Sequence, residues 1–132
     1  MVDDVTTNRT MLVRMLVGRF KLCEEAENGL LAVEAVKRTL DAGETFDLIT
    51  MDYQMPVMDG PTAVREIREM GYTGLIVAVT GNAYQKDIET FKSSGVDAVL
   101  LKPLRLADFD ATVTWLLNRA TGRDRLNLDY DI

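Results

Sequence analysis

Three carboxylates, a hydroxyl and an ammonium are the groups in this sequence that could act together: Asp3, Asp4, Asp52, Thr80 and Lys102. Carboxylates gathered in one crevice repel and raise one another's pKa unless a cation lies between them. A hard divalent ion with oxygen ligands, Mg²⁺ first, is the natural occupant of such a place. A lysine ammonium can hold an anionic oxygen there, and a threonine hydroxyl can hydrogen-bond another. The combination suits a phosphoryl group carried on Asp52, with Asp52 as the nucleophile. Taken singly, each residue has an ordinary reading. Asp3-Asp4 would be a solvated terminus or a helix cap, Asp52 the cap of a loop, Thr80 a turn hydroxyl and Lys102 a surface lysine.

Whether these groups meet depends on the elements that carry them. Residues 46–51 form a short apolar run that reads as a buried strand, and it delivers Asp52 at its C-terminal end. Pro56 forbids continued helix or ladder. Asp59-Gly60 supplies a turn and a helix N-cap, a structural role, and Pro61 opens the helix where its missing N–H costs nothing. That helix turns Ala63, Val64, Ile67 and Met70 inward and ends at Gly71. Residues 75–79 are a continuous β-prone run, as in a strand covered on both faces, broken at Thr80-Gly81-Asn82. A more polar helix is expected over 84–93, from Tyr84 to Ser93, ended by Ser94-Gly95. Residues 98–101 read as another short buried strand, closed by Lys102-Pro103. The last helix spans 106–119, with Phe109, Val113, Leu116 and Leu117 inward and Trp115 near its exposed side, open to either partner contact or partial core packing.

Upstream, Thr6, Thr7 and Asn8 are capping residues before a helix whose apolar face is Met11, Leu12, Met15 and Leu16, stopped by Gly18. Residues 20–26 read as a strand, with Cys23 packing in it. Asn28-Gly29 is a turn before a helix with apolar Leu30, Leu31, Val33, Ala35, Val36 and Leu40, closing at Asp41-Ala42-Gly43. Residues 1–4 are too short to establish a strand alone. Strands alternating with helices imply a parallel sheet with helices on both faces, a three-layer α/β domain. In such a sheet the C-terminal strand ends share one edge, where ligands bind. Asp3-Asp4, Asp52, Thr80 and Lys102 all fall at such ends.

Composition narrows the function classes. A chain of 132 residues is one domain, here 1–120 with a tail or linker at 121–132. A net charge of −6 argues against a nucleic-acid partner, which needs a basic face. The single cysteine cannot form an internal disulfide and fits a reducing compartment. With no histidine in the chain, histidine acid–base chemistry and histidine-liganded zinc are excluded. No apolar run reaches the roughly 18 residues of a membrane span, and Met-Val-Asp-Asp is not a signal peptide.

Val2-Asp3-Asp4, the Met51–Gly60 segment Met-Asp-Tyr-Gln-Met-Pro-Val-Met-Asp-Gly, Thr80-Gly81-Asn82-Ala83 and Lys102-Pro103 resemble, in order and spacing, the receiver domains of response regulators (the CheY-like family). The wording is most similar to receivers of hybrid histidine kinases. The resemblance implies a flavodoxin-like (βα)5 sandwich with strand order 2-1-3-4-5, and no enzyme beyond Mg²⁺-dependent self-phosphorylation and slow self-dephosphorylation. It implies Asp52 as phosphoacceptor, with Asp4, Asp52 and the Gln54 backbone carbonyl as Mg²⁺ ligands and Asp3 holding the metal through water. Thr80 and Lys102 would bind phosphoryl oxygens, Asn82 and Gln54 would flank the site and set the lifetime of the phosphorylated form, and the Lys102–Pro103 bond would be cis. The donor would be a histidine kinase or a histidine phosphotransfer protein, docking on the helix of residues 11–17. The output face would be the 84–93 helix. The location implied is cytoplasmic or nuclear, alone or within a larger membrane-attached kinase.

Two features depart from the family pattern. Val99 stands where the family usually has an aromatic switch residue. Only Met1 and Val2 precede the acidic pair, so the first strand reads as truncated from a longer protein. A non-phosphorylated pseudo-receiver acting as an interaction module is therefore an alternative. An aspartyl-phosphate phosphatase is disfavoured, because it needs an acid where Gln54 stands.

Overall fold

The computed structural model describes residues 1–2, 24–53, 55–81, 84–102 and 105–120. Three parallel strands, β1 (Leu48–Met51), β2 (Leu75–Thr80) and β3 (Ala98–Leu101), form a sheet in that spatial order. Register pairs Met51 with Ala78 and Thr80 with Leu101. On the free side of β1, Val2 donates to the Thr50 carbonyl at 2.8 Å and accepts from the Asp52 N–H at 2.9 Å. Val2 also bridges Ala26 in parallel, with the Ala26 N–H on the Met1 carbonyl at 2.9 Å. The spatial sequence is thus second, first, third, fourth, fifth, as the expected 2-1-3-4-5 order requires. Met1 and Val2 supply the rungs of the central strand. Of the expected 20–26 strand, Ala26 makes a bridge and Glu24 and Glu25 are not in a strand; residues 20–23, including Cys23, the 11–17 helix and the 121–132 tail lie outside the described residues.

Helices cover both faces. Four are described: α1 (Gly29–Asp41), α2 (Gly60–Glu69), α3 (Gln85–Ser94) and α4 (Leu106–Ala120). The period-2 alternation of strand side chains sends Ile49, Met51, Ile76, Ala78 and Val99 to a cluster with Ala32 and Val36 of α1, Ala63, Val64 and Ile67 of α2, and Phe91 of α3. Val77, Val79, Ala98 and Leu100 face the other way, onto Phe109, Val113, Trp115 and Leu116 of α4. The sandwich therefore has three layers. No helix of the described residues is long and apolar enough to cross a membrane.

Local chemistry sets the helix ends. Asn28 caps α1, its side chain accepting the Leu31 N–H at 2.9 Å, and Asp59 caps α2 through the Thr62 N–H at 2.9 Å. Gly95, at φ 117°, ends α3 in a left-handed conformation that a side chain would oppose. The N-terminus of α3 has no side-chain cap hydrogen bond at Tyr84. Only Phe91 and Ser94 of this helix are buried, so a single large apolar side chain, contributing about 1.5–3 kcal/mol, does most of the anchoring.

Of the two readings open for Trp115, core packing holds: it is 8% exposed in the α4 cluster, because α4 lies along the sheet with a broad apolar face rather than a narrow stripe. Several other expectations are corrected. Leu30 and Leu31 are about 40% exposed, since the α1 face turned to the core passes through Ala32 and Val36. Phe46 lies outside β1, and Thr80 belongs to β2 instead of breaking it. Tyr84 is the N-cap of α3 rather than its first residue, being extended at ψ 128°.

At the pole opposite the C-terminal strand ends, Arg68 of α2 ties three segments together. Its guanidinium donates to the carbonyls of Gly95 (2.9 Å), Tyr72 (3.1 Å) and Gly74 (2.8 Å) and pairs with Asp97 at 2.9 Å. Asp97 in turn accepts the Ile76 N–H at 2.8 Å, which fixes the entry to β2. Replacing Arg68 with Met would keep the stem and leave these acceptors without a donor. Urea unfolding of Arg68→Met is expected to show a loss of about 3 kcal/mol; a loss below 1 kcal/mol would show the clamp to be ornamental.

Candidate functional site

Asp52 follows the last residue of β1 and is 9% exposed. Its Oδ1 accepts the Tyr53 N–H at 2.9 Å and lies 3.3 Å from Lys102 Nζ. Lys102 is delivered by β3, two strands away, and its N–H donates to the Thr80 carbonyl at 2.8 Å. A buried carboxylate is driven toward neutrality by desolvation, whereas a nearby ammonium and an N–H donor favour the charged form. The pair is thus the local answer to the burial of Asp52. Strand parity explains the meeting: Asp52 and Lys102 continue β1 and β3 on the same sheet face.

Of the residues expected at the site, Asp52 and Lys102 are in direct contact. Thr80, 2% exposed at the end of β2, joins them through its backbone bond to Lys102. Val99 is buried in β3 within the same apolar cluster as Phe91. Asp3, Asp4, Gln54, Asn82 and Pro103 lie outside the described residues. Their chain neighbours are at this edge: Val2, before Asp3, accepts the Asp52 N–H, and Gly81 follows Thr80. Among the described residues no three acidic, histidine or cysteine side chains gather as a metal site. The expected ligand set therefore depends on Asp3, Asp4 and Gln54 joining Asp52, whose hard oxygen donors suit a divalent ion that prefers oxygen.

Two features of the loop after Asp52 went unread in the sequence. Gly60 donates its N–H to the Tyr53 carbonyl at 2.7 Å, and a Cβ at this position would lie 2.0 Å from the Asp52 carbonyl oxygen and 2.8 Å from Phe91 Cζ. Gly60 is therefore where α2 closes onto the backbone of Asp52, beyond its expected role in a turn. Tyr53 sets its ring edge-on against Phe91, 4.9 Å between centroids at 86°. Burial raises the Tyr53 pKa above its ordinary value; the Asp87 charge adds to the rise and a hydrogen bond with Thr90 opposes it. The signal for this contact was Ile88 and Phe91 at helical spacing in an otherwise polar helix.

The same loop holds Val57 at φ 72°, inside a three-residue turn closed by Met58 N–H to the Pro56 carbonyl at 2.8 Å. A β-branched residue is a true outlier there. Val57 is 76% exposed, so little packing offsets the strain.

Residues 1–114 match the family model of the response regulator receiver domain. The rice protein Two-component response regulator ORR41 is 42% identical over 106 residues, covering 79% of this chain and 81% of that protein. The Osmosensing histidine protein kinase SLN1 of Saccharomyces cerevisiae is 36% identical over 106 residues, which are 79% of this chain and only 9% of the kinase. Among solved structures, the receiver domain of sensor histidine kinase PA1611 from Pseudomonas aeruginosa PAO1, with a magnesium ion coordinated in its active-site cleft, has a TM-score of 0.71 and 31% identity, covering 92% of this chain and 93% of that one. The chain belongs to the response regulator receiver domain family of two-component signalling.

Two substitutions test the loop geometry. Gly60→Ala forces a Cβ into backbone that cannot swing aside, so chemical denaturation should show a loss above about 2 kcal/mol. Val57→Gly should raise stability by about 1 kcal/mol, because relief of about 1–3 kcal/mol of strain exceeds glycine's entropic cost; a loss would mean that Val57 is not strained.

Proposed function

We propose that this chain is a phosphoacceptor receiver, taking a phosphoryl group from a histidine of a kinase or phosphotransfer protein onto Asp52. The observation that carries the reading is the Asp52 carboxylate at a strand end, nearly buried, with Lys102 Nζ 3.3 Å from its Oδ1. An Asp52 oxygen attacks phosphorus, the phosphorus–nitrogen bond to the donor histidine breaks, and the imidazole leaves and takes up a proton. Lys102 offsets the negative charge on the moving group, a role in which a positioned cation acts at full strength because it needs no reorganisation. Asp4, Asp52 and the Gln54 carbonyl, with Asp3 through water, would hold Mg²⁺, which when bound supplies positive charge to the phosphoryl oxygens. The magnesium bound by the PA1611 receiver, 31% identical to this chain, supports that choice of ion.

Thr80 is tied to this pair through its backbone bond to Lys102, and we assign its hydroxyl to a phosphoryl oxygen. A phosphoryl group adds roughly −1.5 to −2 charge. Drawing Thr80 toward it shifts the loop leading into α3, whose exposed face then presents the output surface. The domain responsible is residues 1–120, with 121–132 as tail or linker.

The test is covalent uptake from acetyl phosphate in the presence of Mg²⁺, followed by intact mass. The unmodified chain is expected to gain one phosphoryl group, Asp52→Asn none, and chelation to abolish uptake. Lys102→Met should slow uptake roughly 100-fold while remaining folded. Mg²⁺ binding without uptake would sink the reading and leave a non-phosphorylated interaction module.

A further inference from the structure

Tyr53 is tied to the site at one end and to a helix at the other. Its N–H donates to Asp52 Oδ1 at 2.9 Å, and its carbonyl accepts the Gly60 N–H at 2.7 Å. Its ring meets Phe91 of α3 edge-on at 4.9 Å, and Phe91 also presses on the position of Gly60, against the Asp52 carbonyl. Phe91 is the one large side chain that α3 buries, and α3 has no side-chain cap at its start. The other end of α3 is held, since the Gly95 carbonyl accepts from Arg68 at 2.9 Å.

From this geometry we infer that Tyr53 is a positioning residue that couples the state of the Asp52 carboxylate to the placement of α3, through its ring contact with Phe91. The inference rests on the phosphoacceptor reading and adds to it a second line of transmission, separate from Thr80. A group placed on Asp52, or a ligand beside it, changes what Oδ1 can accept and so changes the Tyr53 N–H bond. The peptide between Asp52 and Tyr53 must then adjust, and the ring moves with it. Packed aromatic contacts do not deform continuously, so the ring passes the change to Phe91, and α3 tilts about its Arg68-held end. The edge-to-face contact limits the part carried by the ring to a factor of roughly five in any linked equilibrium, and the hydrogen bond between Tyr53 and Thr90 of α3 is a separate link that Tyr53→Phe removes. Because such linkage is reciprocal, a change at Phe91, on another element, must alter the affinity at Asp52 by the same factor.

The experiment uses the full 132-residue chain with Mg²⁺ and beryllofluoride as the probe. Fluorine NMR reports binding, and amide NMR reports the response of α3. The chain and Tyr53→Phe, which keeps the ring, are expected to bind and to shift the α3 amides alike. Tyr53→Leu and Phe91→Leu should still bind, with the α3 shifts reduced by more than half and affinity changed roughly fivefold. The two substitutions should be non-additive when combined. Undiminished α3 shifts in Tyr53→Leu would overturn the coupling and leave the phosphoacceptor reading intact. An unmodified chain that binds no beryllofluoride would overturn that reading and the coupling with it. Should Tyr53→Leu fail to fold, Phe91→Leu decides by the same criteria.

Discussion

A carboxylate that must stay charged while almost withdrawn from water is the constraint behind this structure. Asp52 is 9% exposed, and withdrawing a charge from water on that scale is costly unless the charge is paired. What offsets this cost is Lys102 at 3.3 Å and the Tyr53 N–H at 2.9 Å. Lys102 can be there only because β3 is held in register on β2, Thr80 opposite Leu101, and β2 in turn on β1. The whole sheet is thus the means by which residues 50 positions apart come within an ion pair. A slip of one residue in β3 would send Lys102 to the opposite face, and the same slip in β1 would do so to Asp52.

The two poles of the sheet differ in kind. At one, Arg68 and Asp97 pair with each other and together bond three backbone carbonyls and the Ile76 N–H. At the other, the groups are few, charged and set on loops, including a valine at φ 72°. Strain of that sort is typical of places where function rather than stability chose the backbone. The helix α3 joins both poles, held by Arg68 at its C-terminal end and by Phe91 near the site.

The order of elements, the parallel sheet and the placement of Asp52, Thr80 and Lys102 at strand ends were legible in the sequence, because each of these residues interrupts an apolar run at its C-terminal end. β3 was read to the residue for the same reason, bounded by Asp97 and Lys102-Pro103. Helix faces were read less well. Leu30 and Leu31 are adjacent, so a helix cannot turn both to the sheet equally, and the structure exposes both to a similar degree. Trp115 stayed open between core and surface because a helix covering a wide sheet buries more than one stripe. Gly60 and Tyr53 were invisible as site residues since their roles depend on the path of the loop, which returns Gly60 to the backbone of Asp52 eight positions earlier. The expected partners Asp3, Asp4, Gln54 and Asn82 belong to the sequence reading alone.

The central claim is that Asp52, and no other acid, carries the phosphoryl group. Borohydride reduction of the acetyl-phosphate-treated chain, followed by peptide mapping, reads this directly, because an acyl phosphate is reduced to an alcohol. Homoserine at position 52 is the expected product. Homoserine at any other position, or none anywhere on a chain that has taken up phosphate, would contradict it.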